Sequence, residues 1–282
     1  RWPRLIYCSV SGFGQTGPKR RLPGYDAVVQ AEGGLMSITG SPDGTPSRLG
    51  VAIADIASGM FAAQGVTLAL LGRQRTGRGQ RVDVAMLDSV AALLTYQAGI
   101  YFTTGTAPQR MGNRHPTIVP YETFEASDGV FVVAVGNDEQ WKRFCSAVAL
   151  DALAEEPTFQ TNRGRVTAYD ELRPRIAAQL RTRTRQEWIG ALTEAGVPCG
   201  SVRDLEEVLT DPQLLAREMV TRLPHPVAGS VGALGTPIKL SDTPGRVHSA
   251  PPTLGQHTEE ILERDLGLHP VEIARLKNEG VV

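Results

Sequence analysis

Asp55 is the residue whose type and setting most clearly offer chemistry. It stands between Ile53-Ala54 and Ile56-Ala57, at the start of a run that stays mostly apolar to Leu71. A carboxylate in such surroundings is costly unless something holds it. Two readings stand side by side. As a helix cap, its oxygen accepts hydrogen bonds from the first free backbone N–H groups. As a nucleophile, it is kept charged by the positive end of the helix and is free to attack an electrophile. The two are compatible. His115, in Gly112-Asn113-Arg114-His115-Pro116, is a second candidate, either a base or a polar loop residue, with no partner that the sequence can name. The other histidines, His225, His248, His257 and His269, flank prolines or polar turns. No pair of them has metal-ligand spacing, so no metal site is expected.

Cysteine chemistry has little support. Cys8, Cys145 and Cys199 lie far apart, without a C-x-x-C motif, and an odd number cannot pair completely within the chain. A reducing, cytosol-like compartment follows. Gly12-Phe13-Gly14-Gln15-Thr16-Gly17 lacks the spacing of a dinucleotide loop and runs into Pro18 and basic residues instead of opening a helix. Thr76-Gly77-Arg78-Gly79-Gln80 is too short for a P-loop and reads as a tight turn into a strand.

These residues must be positioned by a fold large enough to bury a core. The 282 residues are 41% hydrophobic and 21% charged, the composition of a soluble globular protein of two domains. The formal net charge of -1 gives no electrostatic case for nucleic acid or an anionic membrane. Val51 to Leu71 is nearly long enough to span a bilayer, but it contains Asp55, Ser58, Gly59 and Gln64. An aspartate at the centre of a membrane helix costs about 2.5–3.5 kcal/mol, so the segment is read as a helix enclosed within a soluble protein.

Hydrophobic periodicity sets out the remaining elements. Leu5 to Val10 reads as a buried strand, Tyr25 to Met36 as a helix, Arg81 to Met86 as an alternating strand and Asp88 to about Tyr101 as a long apolar helix. This alternation indicates α/β architecture. Tyr121 to Ala126 and Val130 to Val135 form a hairpin about Asp128-Gly129, followed by a helix capped by Asn137 with Gln140 placed for a capping box. Thr161 to Ala195 is helical. After Gly200 come a helix over about Leu205 to Met219, a β segment from Leu223 to Leu240, and short helices over Thr258–Asp265 and Pro270–Glu279. The expected organisation is a large domain over residues 1–105, a smaller α+β domain over 106–212 and a segment over 213–282 that returns to the large domain. The chain begins at Arg1 and enters a strand at once, as a fragment lacking an upstream part would.

Taken in order, several stretches resemble the family III CoA-transferases, the CaiB/BaiF or formyl-CoA transferase family. They are Ser11-Gly12-Phe13-Gly14-Gln15-Thr16-Gly17-Pro18, Gly24-Tyr25-Asp26-Ala27-Val28-Val29-Gln30-Ala31, Gly33-Gly34-Leu35-Met36, Ala54-Asp55-Ile56-Ala57-Ser58-Gly59 and Thr76-Gly77-Arg78-Gly79-Gln80. The likeness continues through Ile118 to Phe124 and Leu254 to Thr258, and most resembles the succinate-hydroxymethylglutarate CoA-transferase branch.

The resemblance implies a Rossmann-like large domain with a parallel sheet, incomplete at its N-terminus, a smaller α+β domain and an interlocked homodimer. It makes Asp55 the nucleophile and places Gly24, Tyr25 and Asp26 along the coenzyme A pocket. It aligns Gly112, Asn113 and His115 with a substrate-facing glycine-rich loop, although this chain has far fewer glycines there. No permanently bound cofactor is implied, coenzyme A being a co-substrate. The partners would be an acyl-CoA, with succinyl-CoA as donor, and a small carboxylic or dicarboxylic acid as acceptor. A dicarboxylate needs a cation for its remote carboxylate, and Arg48 and Arg114 are candidates, each open also to the reading of a solvated surface arginine. The expected compartment is the cytoplasm, or the mitochondrial matrix in a eukaryote. Two alternatives remain: an α-methylacyl-CoA racemase, whose histidine is here Tyr25, a phenol of ordinary pKa about 10 and a poor base near neutrality; and an inactive module that only binds acyl-CoA.

Overall fold

The computed structural model describes residues 2–282. Its first strand, β1 (Tyr7–Ser11), pairs in parallel with β2 (Arg81–Ala85), in register from Tyr7↔Arg81 to Ser11↔Ala85. A parallel pair needs a long crossover. Here it contains α1 (Asp26–Glu32), a 3₁₀ turn over Leu35–Ile38, and the 24-residue α2 (Ile53–Thr76). Gly77, at φ 69°, takes the left-handed conformation that ends α2, its N–H bonding the Arg73 carbonyl at 2.9 Å.

After β2 the chain enters α3 (Met86–Leu93) and α4 (Thr95–Thr104). The apolar run expected as one helix is therefore two, parted where Thr95 has φ 37°. The core here is small: Val29, Ala54, Met86 and Val90, with Leu35 and Leu87 packed against them.

Two burial expectations need correction in this region. β1 is not a buried strand, because Tyr7 and Val10 are 60% and 50% exposed and the described sheet has two strands. Nor is α2 enclosed. Ala54, Ala57, Ser58 and Ala69 are buried, but Ile56, Met60, Phe61, Leu68 and Leu71 are exposed, Met60 at 69%. An apolar run suggests enclosure, yet only the side facing α1, α3 and the strands is covered by described residues. By length and composition alone α2 could also cross a membrane.

The next stretch closes on a much larger core. β3 (Tyr121–Ala126) and β4 (Gly129–Ala134) form the expected hairpin, paired from Tyr121↔Ala134 to Ala126↔Gly129. Its Asp-Gly turn is tied down by Asp128, whose Oδ1 accepts from the Arg185 N–H at 2.7 Å. Then follow α5 (Asp138–Ala147), α6 (Asp151–Glu155), α7 (Asn162–Thr167), α8 (Tyr169–Leu180), α9 (Arg185–Glu194) and β5 (Cys199–Ser201), which adds antiparallel to β4. Asn137 caps α5 as its spacing predicts, but Gln140 accepts from the Gly136 N–H at 2.7 Å rather than from Asn137. A full capping box starts α9, between Thr184 and Glu187. Trp141, Phe144, Phe124, Phe131, Phe159 and Trp188 anchor the core. At its edge the buried Arg165 donates to the Val119 and Phe159 carbonyls and to Asp138.

The chain divides into two compact units, Arg1–Val202 and Arg203–Val282. The second contains α10 (Leu205–Leu209) and α11 (Pro212–Ala216), where one helix was expected, and the antiparallel pair β6 (Val220–His225) and β7 (Gly229–Leu234). It ends in α12 (Thr258–Arg264) and α13 (Pro270–Asn278). Asp204 and Glu207 form a capping box at α10, and His269 caps α13 by accepting from the Val271 N–H.

Candidate functional site

Asp55 occupies the third position of α2, after Ile53 and Ala54, and is exposed. It is not the cap of that helix. The cap position is Ala52, which has no side chain able to accept, and the capping oxygen comes from elsewhere. Asp26, at the start of α1, reaches across the fold so that its Oδ1 accepts from the Ala54 N–H at 2.9 Å. Its Oδ2 accepts from the side-chain amide of Gln30, one helical turn on, at 2.8 Å. Gln30 is fully buried. Its Oε1 accepts from the Leu49 N–H at 3.0 Å and its Nε2 also approaches the Val51 carbonyl at 3.4 Å. Asp26 and Gln30 together therefore pin Leu49 to Ala54, the stretch that feeds α2, onto α1.

That pinning decides what is left for Asp55. The N–H groups of the first helical turn have no carbonyl within the helix to bond. Ile53 donates to the Val51 carbonyl at 2.9 Å and Ala54 to Asp26, while the Asp55 N–H has no partner among the described residues. The Asp55 carboxylate likewise makes no hydrogen bond or ion pair among them. Asp55 is thus an exposed, unengaged carboxylate in the first turn of a 24-residue helix. Such a group can act as an oxygen nucleophile, with an unclaimed N–H beside it for a developing oxyanion.

Gly24 and Tyr25 lead into α1, and Arg48 leads into the stretch that feeds α2. Gly24 touches Gly12 so closely that a Cβ on either would sit about 2.5–2.6 Å from the other's Cα. Only glycine at both positions lets the loop after β1 cross the entry to α1. Tyr25 is the cap residue of α1 and is 77% exposed. Arg48 is exposed and its Nη1 lies 3.5 Å from the Leu49 carbonyl. Asp26 is thus brought to the Asp55 turn; Gly24 and Tyr25 directly precede Asp26 in the chain, and Arg48 directly precedes Leu49, whose N–H Gln30 holds. Gln30 was not singled out from sequence, although its place four residues after Asp26 on a helix was a usable signal.

Gly112, Asn113 and His115 gather elsewhere. Gly112, at φ 61°, donates its N–H to the Gly40 carbonyl at 3.0 Å, and Asn113 donates to the Thr123 hydroxyl at 3.1 Å. The His115 ring stacks on Tyr121 at 5.1 Å and lies 5.5 Å from Tyr96. Its Nδ1 accepts from the Thr117 N–H at 3.2 Å, and burial lowers its pKa. Both effects favour the neutral ring, in which Nε2 carries the proton because Nδ1 accepts. Beside it, a cleft of about 270 Å³ is lined by Thr39, Tyr96, Gln97, Gln109, Gly112 and Arg114, and Asp55 is not among its lining residues.

Other nucleophiles are weaker candidates. Burial pushes the Cys145 thiol up to about 12, and it also raises Cys199. No group of three or more His, Cys, Asp or Glu side chains among the described residues could hold a metal ion.

Comparison with known proteins points in one direction. The family described as CoA-transferase family III matches residues 1–258. The chain is 40% identical over 260 residues to succinate–glutarate CoA-transferase of Agrobacterium fabrum, an alignment covering 92% of this chain and 65% of that protein. It is also 40% identical over 252 residues to acetyl-CoA:oxalate CoA-transferase of Acetobacter aceti, covering 88% and 64%. The chain thus spans just under two thirds of the length of these relatives. Its fold matches the crystal structure of a CAIB/BAIF family protein from Brucella suis with a TM-score of 0.79 at 39% identity, over 92% of this chain and 67% of that one.

Proposed function

Since the chain belongs to CoA-transferase family III, we propose that the protein moves coenzyme A from succinyl-CoA to a small dicarboxylate such as glutarate, with Asp55 as the covalent carrier. A carboxylate oxygen of Asp55 attacks the thioester carbonyl and the CoA thiolate leaves, giving a mixed anhydride. The thiolate then attacks the aspartyl carbonyl and releases succinate, leaving an aspartyl-CoA thioester. The acceptor carboxylate attacks that thioester and frees the thiolate. Finally the thiolate attacks the acyl carbonyl of the new anhydride, which yields the product acyl-CoA and restores Asp55. Each addition places negative charge on a carbonyl oxygen, for which fixed N–H donors are the principal stabiliser.

The observation that carries this reading is the isolation of Asp55: exposed, unpaired, in the first turn of α2, on a backbone held by Asp26 and Gln30. Succinyl-CoA as donor and a dicarboxylate as acceptor rest on the relative named for succinate and glutarate. The relative named for acetyl-CoA and oxalate, equally identical, is the reason the acceptor stays a class and not a compound. Gly24, Tyr25 and Asp26 would line the coenzyme A, and Arg48 would face the acceptor. No resident cofactor is needed, and the setting would be cytosol-like. An interlocked homodimer with a Rossmann-like large domain fits the apolar side of α2 that the described residues leave open.

The test is covalent. The protein, as this chain and as a form extended to the length of its relatives, is incubated with succinyl-CoA and digested, and the peptide containing Asp55 is weighed by mass spectrometry. An adduct is expected, and it should vanish in Asp55→Ala. Binding of succinyl-CoA without any adduct in either form would leave an inert acyl-CoA-binding module instead.

A further inference from the structure

We propose that Arg110 is a positioning residue for the acceptor step: it clamps the loop over residues 40–47 and so fixes the backbone from which Arg48 extends. Between the 3₁₀ turn and α2, residues 39–52 have no regular secondary structure, and residues 41–50 are all exposed. Apolar packing therefore does not hold this stretch, and its shape depends on hydrogen bonds.

The two ends of the stretch are held separately. At the near end Gln30 Oε1 accepts from the Leu49 N–H, and Asp26 Oδ1 accepts from the Ala54 N–H. At the far end the holder is Arg110. Its Nε donates to the Ser41 carbonyl at 3.2 Å and its Nη2 to the Gly44 carbonyl at 2.8 Å. Among the described residues, no other side chain from outside the stretch is hydrogen-bonded to residues 40–47. The Gly112 N–H adds a third bond, to the Gly40 carbonyl at 3.0 Å, and the loop closes on itself where Ser47 donates to the Thr39 carbonyl at 3.1 Å. Arg48 lies between Ser47 and Leu49, so both of its chain neighbours have an anchored N–H, one within the clamped loop and one on Gln30.

The clamp itself stands on the better-packed part of the chain. Arg110 and Gly112 belong to the stretch that runs into β3, where Asn113 donates to the Thr123 hydroxyl at 3.1 Å and the Arg114 guanidinium lies 3.4 Å from the centre of the Tyr169 ring. Tyr169 packs on the large core. A guanidinium suits the task because its planar fork presents donors in fixed directions to two carbonyls at once, whereas an ammonium is a single point of charge. An arginine on a wandering backbone must be ordered before it can hold an anion, which weakens binding. Arg48 as the acceptor's cation belongs to the transferase reading, on which this assignment rests. Arg110 should then act on the acceptor and not on the donor, since the Asp55 turn has its own anchors in Asp26 and Gln30.

The two half-reactions are read separately in the form extended to the length of its relatives. The protein is loaded with succinyl-CoA, freed of excess and mixed with rising concentrations of glutarate, and the Asp55 adduct is followed by mass spectrometry through its formation and its discharge. Arg110→Gln should form the adduct at the original rate but need about fivefold to thirtyfold more glutarate for half-maximal discharge, the size of one or two lost hydrogen bonds. Its maximal discharge rate should not change. Arg110→Lys should fall between, and it carries the test if Arg110→Gln does not fold. The double variant Arg48→Gln/Arg110→Gln should be no worse than Arg48→Gln alone, because a clamp that works through Arg48 then has nothing left to position. Adduct formation slowed as much as discharge, an unchanged glutarate requirement in the Arg110 variants, or single effects that multiply in the double variant overturns the assignment. Absence of the adduct from the original protein sinks the transferase reading itself, and this assignment with it.

Discussion

The stretch from Tyr121 to Ser201 and the α1–α2–α3 stretch that carries Asp55 keep their shapes by different means. The first encloses two tryptophans and four phenylalanines in one continuous core and places a fully buried arginine at its edge. The second has a core cluster of only four residues, Val29, Ala54, Met86 and Val90, its other buried apolar groups being small alanines such as Ala57 and Ala69. What it lacks in burial it replaces with directed bonds from Asp26 and Gln30, and those bonds end at the turn bearing Asp55. A hydrophobic core stabilises without fixing any one atom, because its attraction is non-directional. Hydrogen bonds have strict geometry, so a turn held by them keeps its position even where apolar packing is thin.

The sharpest break of the first region is Trp188→Ala. The indole is fully buried and its Nε1 donates to the Leu180 carbonyl at 2.7 Å. Truncation leaves a large cavity and an unpaired carbonyl, at a cost of about 3–5 kcal/mol. Chemical denaturation should show that loss, while the amide protons around Ala54 keep their local exchange behaviour until the whole unit unfolds. A comparable loss in their protection under native conditions would show that the two regions are not separately maintained.

Asp26→Ala breaks the second region instead. It removes the acceptor for the Ala54 N–H and frees the Gln30 amide, an effect of the size of a lost helix cap, about 0.5–2 kcal/mol. Hydrogen exchange at Ala54 should quicken by up to about thirtyfold on that figure, and adduct formation at Asp55 should slow with it. The Trp188 environment should not change. If Ala54 exchanges at its original rate, the cap is not what holds this turn.

The difference between the regions also decides what could be read from the amino acids alone. The hairpin, its Asp128-Gly129 turn, the Asn137 cap and the two terminal helices were legible because each signal sits within a few residues of its effect. Asp55 in the first turn of a long helix was legible for the same reason. That it does not cap this helix was not legible, because the capping oxygen lies on Asp26, 28 residues before the Ala54 N–H it accepts from. The enclosure expected for α2 failed on another ground. An apolar run tells which residues avoid water but not what covers them, and Met60 and Leu68 remain open. The break of the 88–101 run at Thr95 depends on a backbone angle that apolar periodicity does not encode. Arg114 looked like surface from its loop setting, and only the fold brings Tyr169 beneath it.

His115 joins the two regions, and its titration offers the smallest and most local test of how they meet. Its ring lies between Tyr96 of α4 and Tyr121 of β3, and its Nδ1 is already an acceptor for the Thr117 N–H. Burial lowers its pKa below 6.5, so the folded chain prefers the neutral ring and the unfolded chain takes up the proton first. The sign follows: stability rises with pH wherever the unfolded state binds more protons. No cost is present above about pH 6.5, and stability falls as the pH drops through that value toward the lower folded pKa. Replacing the ring by one that cannot titrate, His115→Phe, keeps the stacking and removes this loss. Melting temperatures of the two proteins, measured from about pH 8 down to about pH 5, should differ by a constant above pH 7 and then converge or cross as the original chain loses ground. The carboxylates whose pKa values are lowered, Asp128, Glu156, Glu187, Asp211 and Asp265, titrate in both proteins and drop out of the difference. Parallel curves across the whole range would mean that the junction tolerates a charged imidazole, and that the stack between Tyr96 and Tyr121 does not tie the two regions together.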